Sequence, residues 1–178
     1  SGFTTNSQPS NPTATVLNGP AGVAIRPGGR LFVVDYNHNR VLSWPNAATF
    51  SSGGAADLVL GQSHLTSMVG QTTQSGLNAP ESIAIDGAGN VWVADSYNQR
   101  VLRYSAPFSN GMNADLVLGQ ADFTSNQPNQ GLYNPTAGTL WFPRGIDFDS
   151  QGKLYVGDQF NNRVLIFTPP FSNGESAT

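Results

Sequence analysis

Few residues in this 178-residue chain could do proton or metal chemistry, and most sit at repeated places. Asp35 and Arg40, Asp95 and Arg100, and Asp158 and Arg163 stand at one spacing in three similar stretches. Such pairs could form a ring of charge around a ligand, or an acid/base set. A pair required in every copy, however, serves the copy, whereas catalysis breaks a repeat's symmetry. The predicted role is structural: each Asp accepts N–H groups of its turn and pairs with its own Arg across a hairpin.

The two histidines are His38, in the first of these turns, and His64, in a connecting segment. A metal centre needs several ligands converging on one point. The places equivalent to His38 hold Asn98 and Asn161, so His38 reads as a solvated turn residue and no metal site is predicted. Asp147-Phe-Asp149-Ser-Gln-Gly152 has the opening of a calcium loop, but Gln151 and the absence of a closing Glu break the pattern. Asp86 and Asp149 instead open Gly-bearing turns. Gly28-Gly29 and Gly87-Ala-Gly89 are turns rather than phosphate cradles, and no nucleophile motif is present. No catalytic residue is assigned and no cofactor is expected. The binding candidates are the turn residues Tyr36, His38, Tyr97 and Phe160, because aromatics on loops above a rigid scaffold suit ligand contact. Packing against the next repeat's turn is the alternative for the aromatics.

The elements that must position these residues are strands. Leu31-Phe-Val-Val-Asp35, Val91-Trp-Val-Ala-Asp95 and Leu154-Tyr-Val-Gly-Asp158 run into polar turns, then into Arg-Val-Leu and an aromatic (Trp44, Tyr104, Phe167). Strand formers around turn formers predict hairpins. Each unit adds a Val/Ile run after a Pro and, in the first two, Asp-Leu-Val-Leu-Gly-Gln as a fourth strand. The spacing is 60 residues from Pro20 to Pro80 and 63 from Pro80 to Pro143. Four-stranded antiparallel units at this period predict an all-β chain of β-propeller blades. Residues 17–62, 77–120 and 140–178 are three blades, the last without its fourth strand. Residues 63–76 and 121–139 are linkers, and 1–16 resembles a partial linker. The whole is one propeller segment over 1–178.

Charged residues are only 11% of the chain, against about 25% in ordinary soluble domains. The net charge is −3 and three of the eight basic residues lie in the repeated hairpin, so nucleic acid is not an expected partner. Nor is a membrane, since no apolar run reaches the roughly 18 residues of a span. Cysteine is absent, which removes disulfides and thiolate chemistry.

The pattern Pro-x-Gly-Val-Ala-Ile…Gly-x-Leu-Phe-Val-Val-Asp-x-x-x-Asn-Arg-Val-Leu, matched at Pro20–Leu42, Pro80–Leu102 and Pro143–Leu165, resembles the NHL repeat family. The Asp-Leu-Val-Leu-Gly-Gln strand and long Asn/Thr linker look like bacterial members, which implies a secreted or cell-surface place. Most NHL propellers are interaction scaffolds; some bind RNA or peptide, and relatives are lyases or hydrolases with metal in the central channel. Three blades leave two apolar faces in water, and propellers close with about four to eight. The expectation is therefore a non-catalytic scaffold that closes with itself, two chains making a six-bladed ring, with a peptide or small neutral ligand at the axial or loop face. The alternatives are a channel-centred metal-dependent lyase or hydrolase, or an excerpt or engineered fragment of a larger propeller.

Overall fold

The computed structural model describes residues 10–51 and 53–178. Residues 1–9 of the expected N-terminal linker, and Ser52 in the loop before Gly54, lie outside the described residues.

Each predicted hairpin forms, flanked as predicted by the run that follows a Pro. The first sheet is β1 (Pro20–Ile25), β2 (Leu31–Asp35), β3 (Arg40–Trp44) and β4 (Leu58–Leu60). The second is β5 (Pro80–Ile85), β6 (Val91–Asp95), β7 (Arg100–Tyr104) and β8 (Leu116–Leu118). The third has three strands, β9 (Pro143–Phe148), β10 (Leu154–Asp158) and β11 (Arg163–Phe167). Neighbouring strands pair antiparallel in chain order, and the hairpin register is identical in the three: Asp35↔Arg40, Asp95↔Arg100, Asp158↔Arg163. The turn between is one 3-10 turn closed by a left-handed residue: Asn39, Gln99 or Asn162, at φ 53, 55 and 52°. Asn tolerates that region and Gln does so less readily.

The first strands lie side by side, β1 against β5 and β5 against β9. Sheets that touch along their first strands radiate from a line, which is the geometry of propeller blades. Gly22 permits the approach: a Cβ there would sit 3.3 Å from the Glu81 carbonyl oxygen of β5. The fourth strand is shorter than the sequence suggests, ending at Leu60 and Leu118. Gly61 and Gly119, at φ 85 and 86°, turn the chain away from the sheet there, and a Cβ would meet Leu77 and Leu140 at 2.4 Å. Only glycine fits.

The core is built between blades rather than within them. One cluster joins Phe32, Val34, Val41 and Leu60 of the first sheet to Ile83, Val93, Leu102, Tyr104 and Val117 of the second. Another joins Trp92, Ala94, Val101 and Leu118 to Ile146, Leu154, Val156 and Phe167. A third corrects the expectation of two bare end faces: Leu31, Val33, Leu42 and Trp44 of the first sheet are buried, with Leu17, Ala47 and Leu65 packed against them. What stays open at that end is β1, where Val23 and Ile25 are 64% and 57% exposed, while Ile83 at the place of Val23 is 7% exposed.

Candidate functional site

The repeated Asp and Arg pair within each hairpin and are more widely connected than the sequence suggests. Arg40 Nε donates to Asp35 Oδ2 at 2.7 Å, Arg100 to Asp95 at 2.7 Å and Arg163 to Asp158 at 2.8 Å. The other carboxylate oxygen accepts a backbone N–H from well upstream: Asn18 at 2.6 Å, Asn78 at 2.7 Å and Trp141 at 2.7 Å. These are not the N–H groups of the hairpin turn, which corrects that part of the expectation. The guanidinium then holds linkers. Nη2 donates to Thr13 and Val16, Thr73 and Gly76, or Thr136 and Thr139 carbonyls, and Nη1 of Arg40 and Arg100 reaches Leu65 and Phe123. One side chain thus ties each hairpin to the segment before it and, in the first two blades, to the segment after. Burial without water makes such charge-assisted bonds costly to break.

His38 is 1% exposed, with Nδ1 2.9 Å from Asp35 Oδ2. The solvated-turn reading is therefore wrong, and burial removes His38 from the exposed binding surface. The equivalents explain why: Asn98 and Asn161 each donate from Nδ2 to the same carboxylate oxygen at 2.8 Å. His38 fills an amide's role.

Asp149 closes its turn as expected, Oδ1 accepting from the N–H of Gln151 and Lys153 at 2.8 and 2.9 Å. The Lys153 N–H bond leads the contacts that hold its carboxyl below the usual range. At Asp86 burial pushes the other way, but hydrogen bonds from Trp92, Asn90 and Ala88 outweigh it and lower the pKa. Among the described residues no three of His, Cys, Asp and Glu gather as a metal site would require.

The turn aromatics meet both of their readings. Tyr97 and Phe160 are 50% and 51% exposed, yet each packs on Phe142 of the third blade, at 5.2 Å edge-on and 5.0 Å stacked. Trp141 adds an edge contact to Phe160 at 5.7 Å, and Tyr36 is half-buried beside Tyr97. The sequence reading missed Phe142. It occupies, at φ 59°, the left-handed position that Gly19 and Ala79 fill in the other blades. Its backbone is held there by Gln99, whose Oε1 accepts the Phe142 N–H at 2.7 Å. Flanked by the Arg144–Glu81 ion pair, these rings form an aromatic arc across the turns of the three blades.

The other contacts the sequence did not reveal run from one blade to the next. Asn39 Oδ1 accepts the Ala79 N–H at 2.7 Å, as Gln99 does for Phe142. In return, Asn110 and Asn173 accept the N–H of Val59 and Val117 on the preceding blade, at 2.8 and 3.0 Å. Beside them Phe108 packs on Phe32 and Phe171 on Trp92, with ring centroids 5.4 and 4.9 Å apart. A signal for the forward latch was available: an amide stands just before the repeated Arg in all three blades.

The NHL repeat family model matches residues 17–43 and 77–104, the first strands and signature hairpins of blades one and two. No curated protein sequence matches the chain. Among solved structures, selenomethionine-substituted virginiamycin B lyase from Staphylococcus aureus shares 12% identity over 90% of this chain and 45% of that one, with a TM-score of 0.47. A catalytically inactive variant of the same lyase with quinupristin shares 13% identity over 86% of this chain and 42% of that one, at a TM-score of 0.45. This chain therefore spans less than half the length of those lyases.

Proposed function

This is an NHL-repeat chain, and we propose that it acts as a non-catalytic propeller scaffold that closes by pairing end to end with a second copy. The observation that carries this is the unused half of each inter-blade contact. Tyr155 stands where Phe32 and Trp92 stand and is 36% exposed; Phe50, eight residues before Leu58 as Phe108 is before Leu116, packs edge-on against Trp44 of its own blade at 5.1 Å and is still 44% exposed. Val164, at the place of the buried Val41 and Val101, is 63% exposed and would face the bare Val23 and Ile25. Asn162, in the position of the Asn39 and Gln99 latches, would reach the backbone N–H of Gly19. The two ends thus carry complementary halves of the contact made twice inside the chain, and a head-to-tail pair uses both. Burying these apolar positions supplies the driving force, at roughly 25 cal/mol per Å².

The non-catalytic part rests on how the titratable groups are used: Asp35, Asp95 and Asp158, their arginines and His38 are all committed to holding hairpins together. The binding part rests on the aromatic arc of Tyr36, Tyr97, Phe142 and Phe160, with Trp141 at its end. Weakly charged, half-exposed rings on a rigid scaffold suit a peptide or a small neutral ligand. The test of assembly is Val164→Glu. It places a charge in the centre of the pairing surface and should reduce the solution mass to one chain with an unchanged circular dichroism spectrum. A mass indifferent to Val164→Glu would rule out pairing through this face.

A further inference from the structure

The two junctions inside the chain, blade one to two and blade two to three, use matching residues, and they differ at one cap. In the second junction Ser172 is capped by its own chain: Glu175 Oε2 accepts the Ser172 N–H at 2.6 Å and its hydroxyl at 3.1 Å. Ser109 holds the same place in the first junction, in the repeated Pro-Phe-Ser-Asn-Gly stretch, but Met112 stands where Glu175 does. The turn is otherwise the same, since the Met112 and Glu175 N–H groups donate to the Ser109 and Ser172 carbonyls, each at 3.3 Å. Among the described residues nothing accepts from the Ser109 N–H or hydroxyl. Ser109 lines a cavity of about 290 Å³ together with Arg30, Asp57, Leu58, Phe108 and Asn110. The charges differ in the same sense as the cap. Arg30 Nη1 and Nη2 hold the two oxygens of Asp57 at 2.8 Å, which offsets that carboxylate. Arg26 adds a second cation, its guanidinium 5.4 Å from the Phe108 ring centroid and its Nε on the Gly89 carbonyl at 2.8 Å. The second junction has Asp86 and Asn90 in the places of Arg26 and Arg30, and Arg103–Asp115 as its ion pair. Two arginines and one aspartate thus stand at the first junction, against one arginine and three carboxylates at the second. Asn110 Oδ1 is committed to the Val59 N–H at 2.8 Å, so the group it has left to offer is its amide donor.

We propose that this cavity binds the carboxylate of a short-chain monocarboxylic acid. One carboxylate oxygen takes the Ser109 N–H and hydroxyl, as Glu175 does at Ser172. The excess of arginine offsets the charge, and the hydrocarbon tail lies on Leu58 and Phe108. Hydrogen bonds to an ionised acceptor are about twice as strong as neutral ones, so the donor pair favours a carboxylate over an amide of the same shape. Ligand pockets begin at roughly 300 Å³, which limits the occupant to a small acid. The site lies between residues of blades one and two, at the opposite end of β2 from the signature turn. It therefore depends neither on the self-pairing nor on the aromatic arc.

The probe is sodium butyrate, titrated at constant ionic strength into the isotope-labelled chain and followed by amide NMR shifts, with butyramide as the uncharged control. The inference expects saturable shifts centred on Ser109 and Asn110, with a Kd on the order of millimolar. Butyramide should bind at least about tenfold more weakly. Met112→Glu supplies the capping carboxylate from the chain itself and should abolish the saturable shifts. Ser109→Ala removes the hydroxyl and keeps the N–H, and should weaken butyrate about three- to tenfold, the worth of one hydrogen bond. Shifts that never saturate overturn the inference, as do saturable shifts away from the first junction or butyramide binding as well as butyrate. Undiminished binding by folded Met112→Glu overturns it too. Should Met112→Glu fail to fold, Ser109→Ala decides: butyrate binding at full strength in that variant overturns the inference.

Discussion

The second and third blades have nearly the same hairpin, yet differ in how well it is finished. Val101, Leu102 and Arg100 are completely buried; Val164 is 63% exposed, Leu165 half-buried and the Arg163 side chain 25% exposed. The strands, turn and ion pair are equivalent, so the difference lies in the neighbours. A blade of this chain does not complete its own core. Its flat face waits for the next blade, its edge for a fourth strand, and its Arg for the carbonyls of the linker beyond. This is the nearest-neighbour energetics of repeat proteins, reached here through named contacts.

The comparison is tested hardest by removing the same residue from both blades. Arg100→Ala strands the fully buried Asp95 beside three unsatisfied linker carbonyls and should cost about 3–5 kcal/mol. Arg163→Ala, with water reaching the pair, should cost roughly half as much or less. Urea denaturation of the two variants reads the difference; equal losses would show that the third hairpin is as enclosed as the second.

A smaller effect follows from Asp147. It is exposed in the third blade at the place of Ala24 and Ala84, which line the junctions inside the chain. Asp147→Ala restores that lining, and the concentration at which chains come apart should fall by roughly three- to tenfold, since removing a charge from a buried apolar surface is worth on the order of 1 kcal/mol. Dilution series of both proteins measure it. The smallest effect belongs to the second blade. The Tyr104 hydroxyl is fully buried without a hydrogen-bond partner, and burial pushes its pKa far above the ordinary range. The third blade has Phe167 there. Tyr104→Phe should raise stability by about 1 kcal/mol by removing an unsatisfied polar group; a loss in the thermal midpoint would mean that the hydroxyl is satisfied after all.

What the sequence revealed was whatever has a local cause. Alternating β-branched and aromatic residues around polar turns specify the hairpins, and their recurrence after Pro20, Pro80 and Pro143 specifies the blade period. The pairing of Asp35 with Arg40 across the hairpin was legible from repetition alone. What it concealed lies between segments far apart in the chain. Asn78 N–H to Asp95, Arg100 to Thr73 and Phe123, and Gln99 to Phe142 involve backbone atoms, which every residue possesses, so no residue type betrays them. His38 misled because a turn position suggests water. Reading it against Asn98 and Asn161, both suited to donate one hydrogen bond inward, would have corrected it. Phe142 was hidden more completely, because a left-handed backbone at an aromatic residue has no sequence signature.

The central claim is that the two ends complete each other. Light scattering coupled to size exclusion, over a wide dilution range, tests it directly. The account predicts a mass of twice 18.8 kDa at the concentrated end of the range, falling towards 18.8 kDa only on strong dilution. A folded species that remains at 18.8 kDa at every concentration would contradict it.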